Sequence, residues 1–256
     1  MDLRLKFDED APNYDRWRPA YAAELFRDII GYSQLDSAKR ALEIGMGTGQ
    51  ATLPILQTGC SVTAVEIGRG LAEYARRKFA ASPGLEVINI DFESFEAGNS
   101  RFDLIYSATA FHWIPQELGL AKAYGLLKPG GTLALFWNHA FVNRRDDPLH
   151  VEIQKAYDKY RPPEKPLREF DESACKAYAD KLAAFGFAEV TARIYRQTRS
   201  FNARDYIALL NTYSDHRALP GHVKGALESE IAQAIQRAGD ELTIYDTMDL
   251  YLARKP

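Results

Sequence analysis

The chain has 256 residues and a formal net charge of −3, and 46% of its residues are hydrophobic. This length suffices for one substantial α/β domain with an insertion, and the composition is that of an ordinary globular protein. The small negative charge gives no support to a nucleic-acid or anionic-membrane partner, because such binding depends on concentrated positive charge.

The chain has two cysteines, Cys60 and Cys175, and neither lies in a metal-ligand spacing. The five histidines show no ligand pattern either, so we predict no metal site. Since no signal peptide and no apolar run of transmembrane length is visible, we expect a cytoplasmic location.

The first predicted element is an amphipathic helix over Tyr21–Ile30, where apolar residues recur every three or four positions. Pro19 can open this helix. A short buried strand follows at Ala41–Ile44 and runs into Gly45–Gly49, in which every second residue is glycine. Glycine lets the backbone turn sharply and approach a ligand closely, because no Cβ is in the way.

A second strand is predicted at Val62–Val65, and Glu66 stands at its C-terminal end. In a parallel sheet this carboxylate would lie beside the glycine turn, where it can accept hydrogen bonds from the two hydroxyls of a ribose. The turn and the carboxylate together predict a site for a nucleoside-containing cofactor.

The glycine spacing separates two classes of such cofactors. The dinucleotide fingerprint is G-x-G-x-x-G, whereas this chain has G-x-G-x-G and Gln50 at the place of the last glycine. The spacing therefore weighs against NAD. A tight strand-to-helix turn without any ligand stays open as an alternative.

Two further strands are predicted downstream, each followed by side chains that suit a binding site. Leu85–Ile90 ends in Asp91 and Phe92, and Arg101–Ile114 begins as a strand and leaves it as the run Phe111-His112-Trp113. Asp91 could instead cap the next turn, and the aromatic residues could be ordinary core residues.

The C-terminal half is predicted to combine strands with a helical insertion. Gly125–Trp137 supplies a helix end, a Pro-Gly-Gly turn and a fifth strand. Asn138 to about Phe185 is helical and polar, with a break at Arg161-Pro162-Pro163. The remaining elements are a sixth strand at Gly186–Tyr195, two helices between Asn202 and Gly239 that Ser214–Gly221 separates, and a last strand at Leu242–Arg254.

Several of these motifs resemble class I S-adenosylmethionine-dependent methyltransferases. The segment Glu43–Gly49 is similar to their cofactor loop, and Phe102–Ile105 with the Phe-His-Trp run is similar to their fourth strand and the aromatic segment after it. Leu126–Leu133, which reads L-L-K-P-G-G-T-L, is a strong marker of the family. The resemblance extends from about Phe7 to Trp137 and is greatest to small-molecule enzymes of the trans-aconitate methyltransferase type.

This resemblance implies the fold class and the organisation of the chain. The fold would be α/β, with a Rossmann-like, seven-stranded, mostly parallel sheet, helices on both faces and the last strand antiparallel between the fifth and sixth. A single domain over 1–256 would comprise an N-terminal lid and helix at 1–37, a cofactor-binding core at 38–140 and helical cap segments at 141–185 and 200–240.

The resemblance also implies S-adenosyl-L-methionine as the cofactor and S-adenosyl-L-homocysteine as the product. Asp91 would bind the adenine amino group, and the segment Phe7–Pro19 would fold across the cofactor as a lid. In that lid, Tyr14 and Arg18 could contact the amino-acid end of the cofactor, with the guanidinium opposite the carboxylate. The candidate cofactor-binding residues are Tyr14, Arg18, Glu43, Gly45, Gly47, Thr48, Gly49, Glu66, Ile67, Asp91, Phe92, Ser107 and Ala108.

The acceptor is expected beside the residues that follow the fourth and fifth strands and beside the cap. Aromatic faces suit this place because the sulfonium is positively charged. His112 and His139 are the candidate catalytic bases, should the acceptor need one. The resemblance implies a small-molecule acceptor, methylated at an oxygen of a carboxylate or hydroxyl. The candidate substrate-lining residues are Phe111, His112, Trp113, His139, His216 and Arg217.

Two other classes of function stay open. A nicotinamide oxidoreductase is disfavoured by Gln50 and by the acidic Asp91 at the adenine position. A non-catalytic protein that binds S-adenosylmethionine as a sensor or scaffold is compatible with the same loop. We expect no nucleic-acid or membrane partner, and a monomer or homodimer.

Overall fold

The structure is a computed structural model that describes residues 10–162 and 168–256. The strands are β1 (Arg40–Ile44), β2 (Ser61–Glu66), β3 (Leu85–Asn89), β4 (Phe102–Ala108), β5 (Leu127–Phe141), β6 (Ala188–Phe201) and β7 (Leu242–Arg254). The helices are α1 (Ala11–Trp17), α2 (Ala23–Ser33), α3 (Thr52–Leu56), α4 (Arg69–Lys78), α5 (Gln116–Leu126), α6 (Pro148–Tyr160), α7 (Glu172–Ala184), α8 (Ala203–Leu210), α9 (Ser214–Arg217) and α10 (Gly221–Arg237). A one-turn 3₁₀ helix, Phe111–Trp113, follows β4.

All seven strands form one sheet in the order β3-β2-β1-β4-β5-β7-β6. β7 runs antiparallel to both of its neighbours, and the other neighbouring strands are parallel. The α/β class, the mostly parallel sheet and the place of the last strand are thus confirmed. The chain order of the strands reverses at β1 and β4, and such a reversal leaves a crevice at the carboxyl ends of the strands.

Apolar side chains cover both faces of the sheet. Along β5, Leu133 and Leu135 pack on one face with α5 and α7, whereas Ala134 and Phe136 pack on the other face with α2 and α3. This division follows from the alternation of side chains along a strand. Because both faces are buried, the central strands are largely apolar, and their positions could therefore be predicted from sequence.

A separate apolar cluster holds the cap beside the crevice. It joins α6, α8 and α10 to the first residues of β7, and its buried members include Ile153, Leu227, Ile231 and Leu242. Since β7 continues into the sheet between β5 and β6, this cluster fixes the cap relative to the core. The segment between α8 and α10 consequently lies over the carboxyl ends of the central strands.

The course of β5 differs from the prediction at both ends. The Pro-Gly-Gly segment is an irregularity within the strand rather than a turn before it, since Phe102 pairs with Leu127 but Leu104 pairs with Thr132. β5 also continues to Phe141, opposite Tyr245 of β7, through residues that were predicted to be helical. The hydrogen-bond partners of this extension are distant in sequence, so no local pattern indicates it.

The boundaries of other helices and strands differ from the prediction by a few residues. The helix predicted at Tyr21–Ile30 corresponds to α2, and its N-cap is Ala22 rather than a residue next to Pro19. The sixth strand runs on to Phe201, and the segment between β6 and β7 contains α9 in addition to the two expected helices. Phe7–Glu9 of the expected lid and Pro163 of the expected break lie outside the described residues.

Part of the expected lid forms α1, a helix that the sequence did not predict. The Asp10 side chain accepts the Asn13 N–H at 3.2 Å and so caps its first turn. Of the helices within 10–162 and 168–256, none combines the length and the apolar character needed to cross a membrane.

Candidate active site

A cavity of about 420 Å³ lies at the carboxyl ends of β1, β2 and β4. Its walls come from the glycine turn after β1, the ends of β2, β3 and β4, the lid helix α1 and the start of α9. Most of the candidate cofactor-binding residues line it, namely Tyr14, Arg18, Gly45, Gly47, Glu66, Ile67, Asp91, Phe92 and Ala108.

Glu66 is held in place by the glycine turn. One carboxylate oxygen accepts the Gly47 N–H at 2.8 Å, and the other accepts the Gly68 N–H at 2.8 Å. The side chain is only 5% exposed, yet it lines the cavity. A carboxylate has about four acceptor positions, so these two backbone hydrogen bonds are compatible with a role in ligand binding.

Asp91 and Phe92 stand where β3 ends, at the other side of the same cavity. One Asp91 oxygen accepts the Ser94 N–H at 2.7 Å, so this residue also caps the following turn. Capping and ligand binding are compatible here, because the cap uses one of about four acceptor positions of the carboxylate.

Four candidate cofactor-binding residues do not reach the cavity wall: Glu43, Thr48, Gly49 and Ser107. Glu43 is 1% exposed, and one of its oxygens accepts hydrogen bonds from the Thr52 hydroxyl at 2.6 Å and the Tyr106 hydroxyl at 2.8 Å. The Ser107 hydroxyl donates to the Ile44 carbonyl at 2.9 Å. Glu43 thus connects β1 to α3 and β4, and Ser107 connects β4 to the end of β1.

The buried Glu43 makes stability depend on pH. Burial raises the pKa of Glu43 from 4.5 to about 7. A raised carboxyl pKa means that the protonated form stabilises the fold, and this contribution is lost as the pH rises through about 7. We expect wild type to lose up to about 3 kcal/mol more than Glu43→Gln between about pH 5 and about pH 8.5. Urea unfolding of both proteins measures this difference, and equal pH dependence of the two would contradict it.

On the acceptor side, His112 and Trp113 line the cavity. Phe111 does not; it is 2% exposed and packs in the core, so its expected role as a lining residue is not supported. Its burial anchors the 3₁₀ turn, because a Cβ on the facing Gly119 would lie only 2.9 Å from the Phe111 ring. The turn thereby presents His112 to the cavity.

The structure places the remaining candidate acceptor residues, His139, His216 and Arg217, off the cavity wall. His139 lies within β5 on the face opposite Asn138, bonds Asp249 at 3.0 Å and stacks on Phe170. His216 is 4% exposed and pairs with the Tyr157 hydroxyl at 3.1 Å, and burial lowers its pKa to about 4. The geometry therefore does not support His139 as a base or His216 as a substrate contact.

Sequence reasoning missed a polar group that also lines the cavity, formed by Tyr21, Thr109 and Asn138. The Thr109 hydroxyl lies 2.8 Å from the Tyr21 hydroxyl and accepts the Asn138 N–H at 3.2 Å. Thr109 has a φ of +52°, which is rare for a β-branched residue and which no sequence pattern predicts. Tyr213–Asp215 were also missed, although the adjacent cap residues had been singled out.

The lid helix α1 connects the core and the cap across this cavity. Asp15 pairs with Lys78 of α4 at 2.6 Å. On the other side, the Asn13 side chain donates to the Ala208 carbonyl at 3.1 Å, and the Arg18 guanidinium donates to the Thr212 carbonyl at 2.8 Å. That guanidinium also lies 4.8 Å from the centre of the Tyr14 ring, and it is 4.5 Å from that of Tyr213. The lid thus contacts both the core and the cap at the cavity wall.

Within residues 10–162 and 168–256, no three His, Cys, Asp or Glu side chains stand close enough together to hold a metal ion jointly. The polar side chains of the cavity wall include the carboxylates of Glu66 and Asp91, the imidazole of His112 and the hydroxyl and amide groups of Tyr21, Thr109 and Asn138.

Comparison with known proteins adds the family. Residues 41–131 match a family model described as a methyltransferase domain. An uncharacterised methyltransferase of Schizosaccharomyces pombe is 23% identical over 231 residues, which are 90% of this chain and 87% of the relative. A second methyltransferase-like protein of that yeast is 25% identical over 100% of this chain and 98% of its own length.

Solved structures agree on the fold. A candidate type II methyltransferase from Anaeromyxobacter dehalogenans superposes with a TM-score of 0.65 at 22% identity, over 93% of this chain and 98% of that one. Phosphoethanolamine N-methyltransferase 2 of Haemonchus contortus, in complex with S-adenosyl-L-methionine, gives a TM-score of 0.57 at 15% identity, over 100% of this chain and 60% of that one.

The family model spans the segment from β1 to the Pro-Gly-Gly residues of β5, which includes the glycine turn, Glu66 and Asp91. The relatives carry the similarity through nearly the whole chain. A nicotinamide oxidoreductase and a non-catalytic binding protein are thereby set aside. The chain is a class I S-adenosylmethionine-dependent methyltransferase, with S-adenosyl-L-methionine as its cofactor.

Proposed function

We propose that this methyltransferase acts on a small-molecule acceptor and transfers the methyl group to an oxygen atom. The observation that carries the proposal is the attachment of the lid segment beside the cavity, since Asn13 and Arg18 hydrogen-bond to the cap at 3.1 and 2.8 Å. A macromolecular acceptor would have to separate these elements, whereas a small molecule can occupy the space beneath them.

Within the cavity we assign separate regions to the cofactor and the acceptor. Glu66 would bind the ribose hydroxyls, Asp91 and Phe92 the adenine, and Tyr14 with Arg18 the amino-acid end. The acceptor would then bind at the remaining part of the wall, which includes His112, Trp113, Tyr21, Thr109 and Asn138. In this proposal 1–37 is the lid and helix, 38–140 the cofactor core, and 141–185 and 200–240 the cap. A cytoplasmic location and a monomeric or homodimeric state stay predictions.

Methylation at oxygen is supported by one relative as well as by the sequence motifs. Malonyl-[acyl-carrier protein] O-methyltransferase of Acetivibrio thermocellus is 30% identical over 165 residues, which are 62% of this chain and 56% of that protein. Methyl transfer from a sulfonium is an in-line displacement, so much of the rate comes from holding the acceptor oxygen opposite the leaving sulfur.

The test is a screen of purified protein with methyl-labelled S-adenosylmethionine against small carboxylic acids, alcohols, phenols and amines. We expect one or more small oxygen compounds to gain a single methyl group, identified by mass spectrometry. Alkaline hydrolysis of the product then separates a methyl ester from a methyl ether or methylamine. Label found on an amine, or on protein or nucleic acid alone, would contradict the proposal.

A further inference from the structure

A tryptophan hydrogen-bonds the one candidate base that lines the cavity. The Trp137 indole N–H donates to His112 Nδ1, with 3.0 Å between the two nitrogens. Because an indole nitrogen can only donate, Nδ1 must be the accepting nitrogen of the imidazole. In the neutral imidazole the proton then lies on Nε2, so this histidine presents an N–H group rather than a lone pair.

The surroundings of both rings hold this arrangement. Trp137 lies in the central strand β5 and makes edge contacts with Tyr178 and Tyr251, at 5.3 and 6.0 Å between ring centres. His112 sits on the 3₁₀ turn that the buried Phe111 anchors. Burial, with His139 nearby, lowers the pKa of His112 and favours its neutral form. The opposite tautomer would place an imidazole N–H against the indole N–H, which leaves both donors unsatisfied.

His112 lines the cavity, and its Nε2 has no hydrogen-bond partner in the described parts of the chain. We propose that His112 is a fixed hydrogen-bond donor to the oxygen acceptor, and that Trp137 is the positioning residue that sets the tautomer of His112. This inference rests on the proposed function. If His112 donates a hydrogen bond and removes no proton, the acceptor is an oxygen compound that binds already ionised, that is, a carboxylate.

The chemistry balances without a base. A carboxylate oxygen attacks the methyl carbon, a C–O bond forms, and the C–S bond breaks with its electron pair passing to sulfur. The products are a methyl ester and S-adenosyl-L-homocysteine, and no proton has to leave the acceptor. An alcohol or an ammonium group would need its proton removed, which an imidazole that already carries a proton on Nε2 cannot do.

The tautomer can be measured without knowledge of the acceptor. In the full chain, labelled with ¹⁵N-histidine and saturated with S-adenosyl-L-homocysteine, we expect His112 to give the nitrogen resonances of a neutral Nε2–H imidazole. Trp137→Phe should shift these resonances towards a mixture of tautomers. Tyr178→Phe, which alters a ring packed on Trp137 without contacting His112, should leave them in place. A neutral Nδ1–H form in wild type, or no change in Trp137→Phe, would overturn the proposal.

The role of His112 as a hydrogen-bond donor is tested by measuring methyl transfer to the carboxylate found in the screen. His112→Gln keeps an N–H donor but cannot act as a base, whereas His112→Leu has no donor. We expect His112→Gln to retain kcat/KM within about tenfold and His112→Leu to lose roughly 10- to 100-fold, with unchanged S-adenosylmethionine affinity in both. Equal loss in the two variants would overturn the donor role. Methylation of an amine instead would overturn the proposed oxygen chemistry as well, so the two failures are distinguishable.

Discussion

Replacing Glu66 by alanine is expected to weaken S-adenosylmethionine binding by more than roughly tenfold, because a charge-assisted hydrogen bond contributes about 1.5–3 kcal/mol. The carboxylate is fixed by the Gly47 and Gly68 N–H groups, and we propose that it binds the two ribose hydroxyls. Glu66→Gln should have nearly as large an effect, since its amide N–H₂ would face one of these backbone donors. Isothermal titration calorimetry with S-adenosylmethionine and S-adenosylhomocysteine measures both.

A surface carboxylate provides the control for this measurement. Glu73 of α4 pairs with the exposed Arg69 and is not part of the cavity wall, so Glu73→Gln should bind the cofactor as wild type does. Circular dichroism melts of all three variants show whether the Glu66 changes also loosen the turn. Unchanged affinity in both Glu66 variants would place the ribose elsewhere in the cavity.

The core of the fold was accessible from sequence because its strands are buried on both faces. Ala41–Ile44 and Val62–Val65 are largely apolar runs, each with one polar residue, that end at glycines or at a carboxylate. Each end marks the crevice edge of a parallel strand. The residues at these ends, such as Gly47, Glu66 and Asp91, could consequently be expected at one site from sequence alone, and all three line the cavity.

Residues on β5 were harder to assign, because the role of each depends on which face of the strand it occupies. His139 follows the predicted strand in sequence but lies within β5, one position from the cavity-lining Asn138 and therefore on the other face. The extension of β5 that decides this comes from its pairing with β7, more than a hundred residues later in the chain.

The partnership of His112 with Trp137 is equally hidden from sequence. The two residues are 25 positions apart, and only the neighbouring placement of β4 and β5 brings their rings together. Sequence therefore indicated that His112 belongs to the acceptor side, but it left open whether the ring donates or accepts a proton. A tautomer is set by the hydrogen-bond partner of the second ring nitrogen, and that partner is a property of the folded chain.

Gly45→Ala is expected to destabilise the protein more than Gly47→Ala, although both residues have positive φ values, +69° and +59°. Each alanine would cost about 1–2 kcal/mol for a left-handed conformation. At Gly45 the new Cβ would also lie 2.5 Å from the Cβ of Ala110, which is tied directly to the backbone and cannot rotate away. This overlap should cost about 1–3 kcal/mol more.

Gly47 is the matched control, because a Cβ there would meet the Tyr14 ring at 3.4 Å, an ordinary contact. Urea unfolding without cofactor measures the free energy of unfolding. It therefore separates the effect of the steric overlap on stability from any direct obstruction of cofactor binding. Gly45→Ala should also weaken S-adenosylmethionine binding, since relief of the overlap must move the turn that holds Glu66 through Gly47. If the two variants lost equal stability, the overlap would be relieved by movement of Ala110. The close approach of Gly45 and Ala110, which follow β1 and β4, would then be dispensable for the cofactor turn.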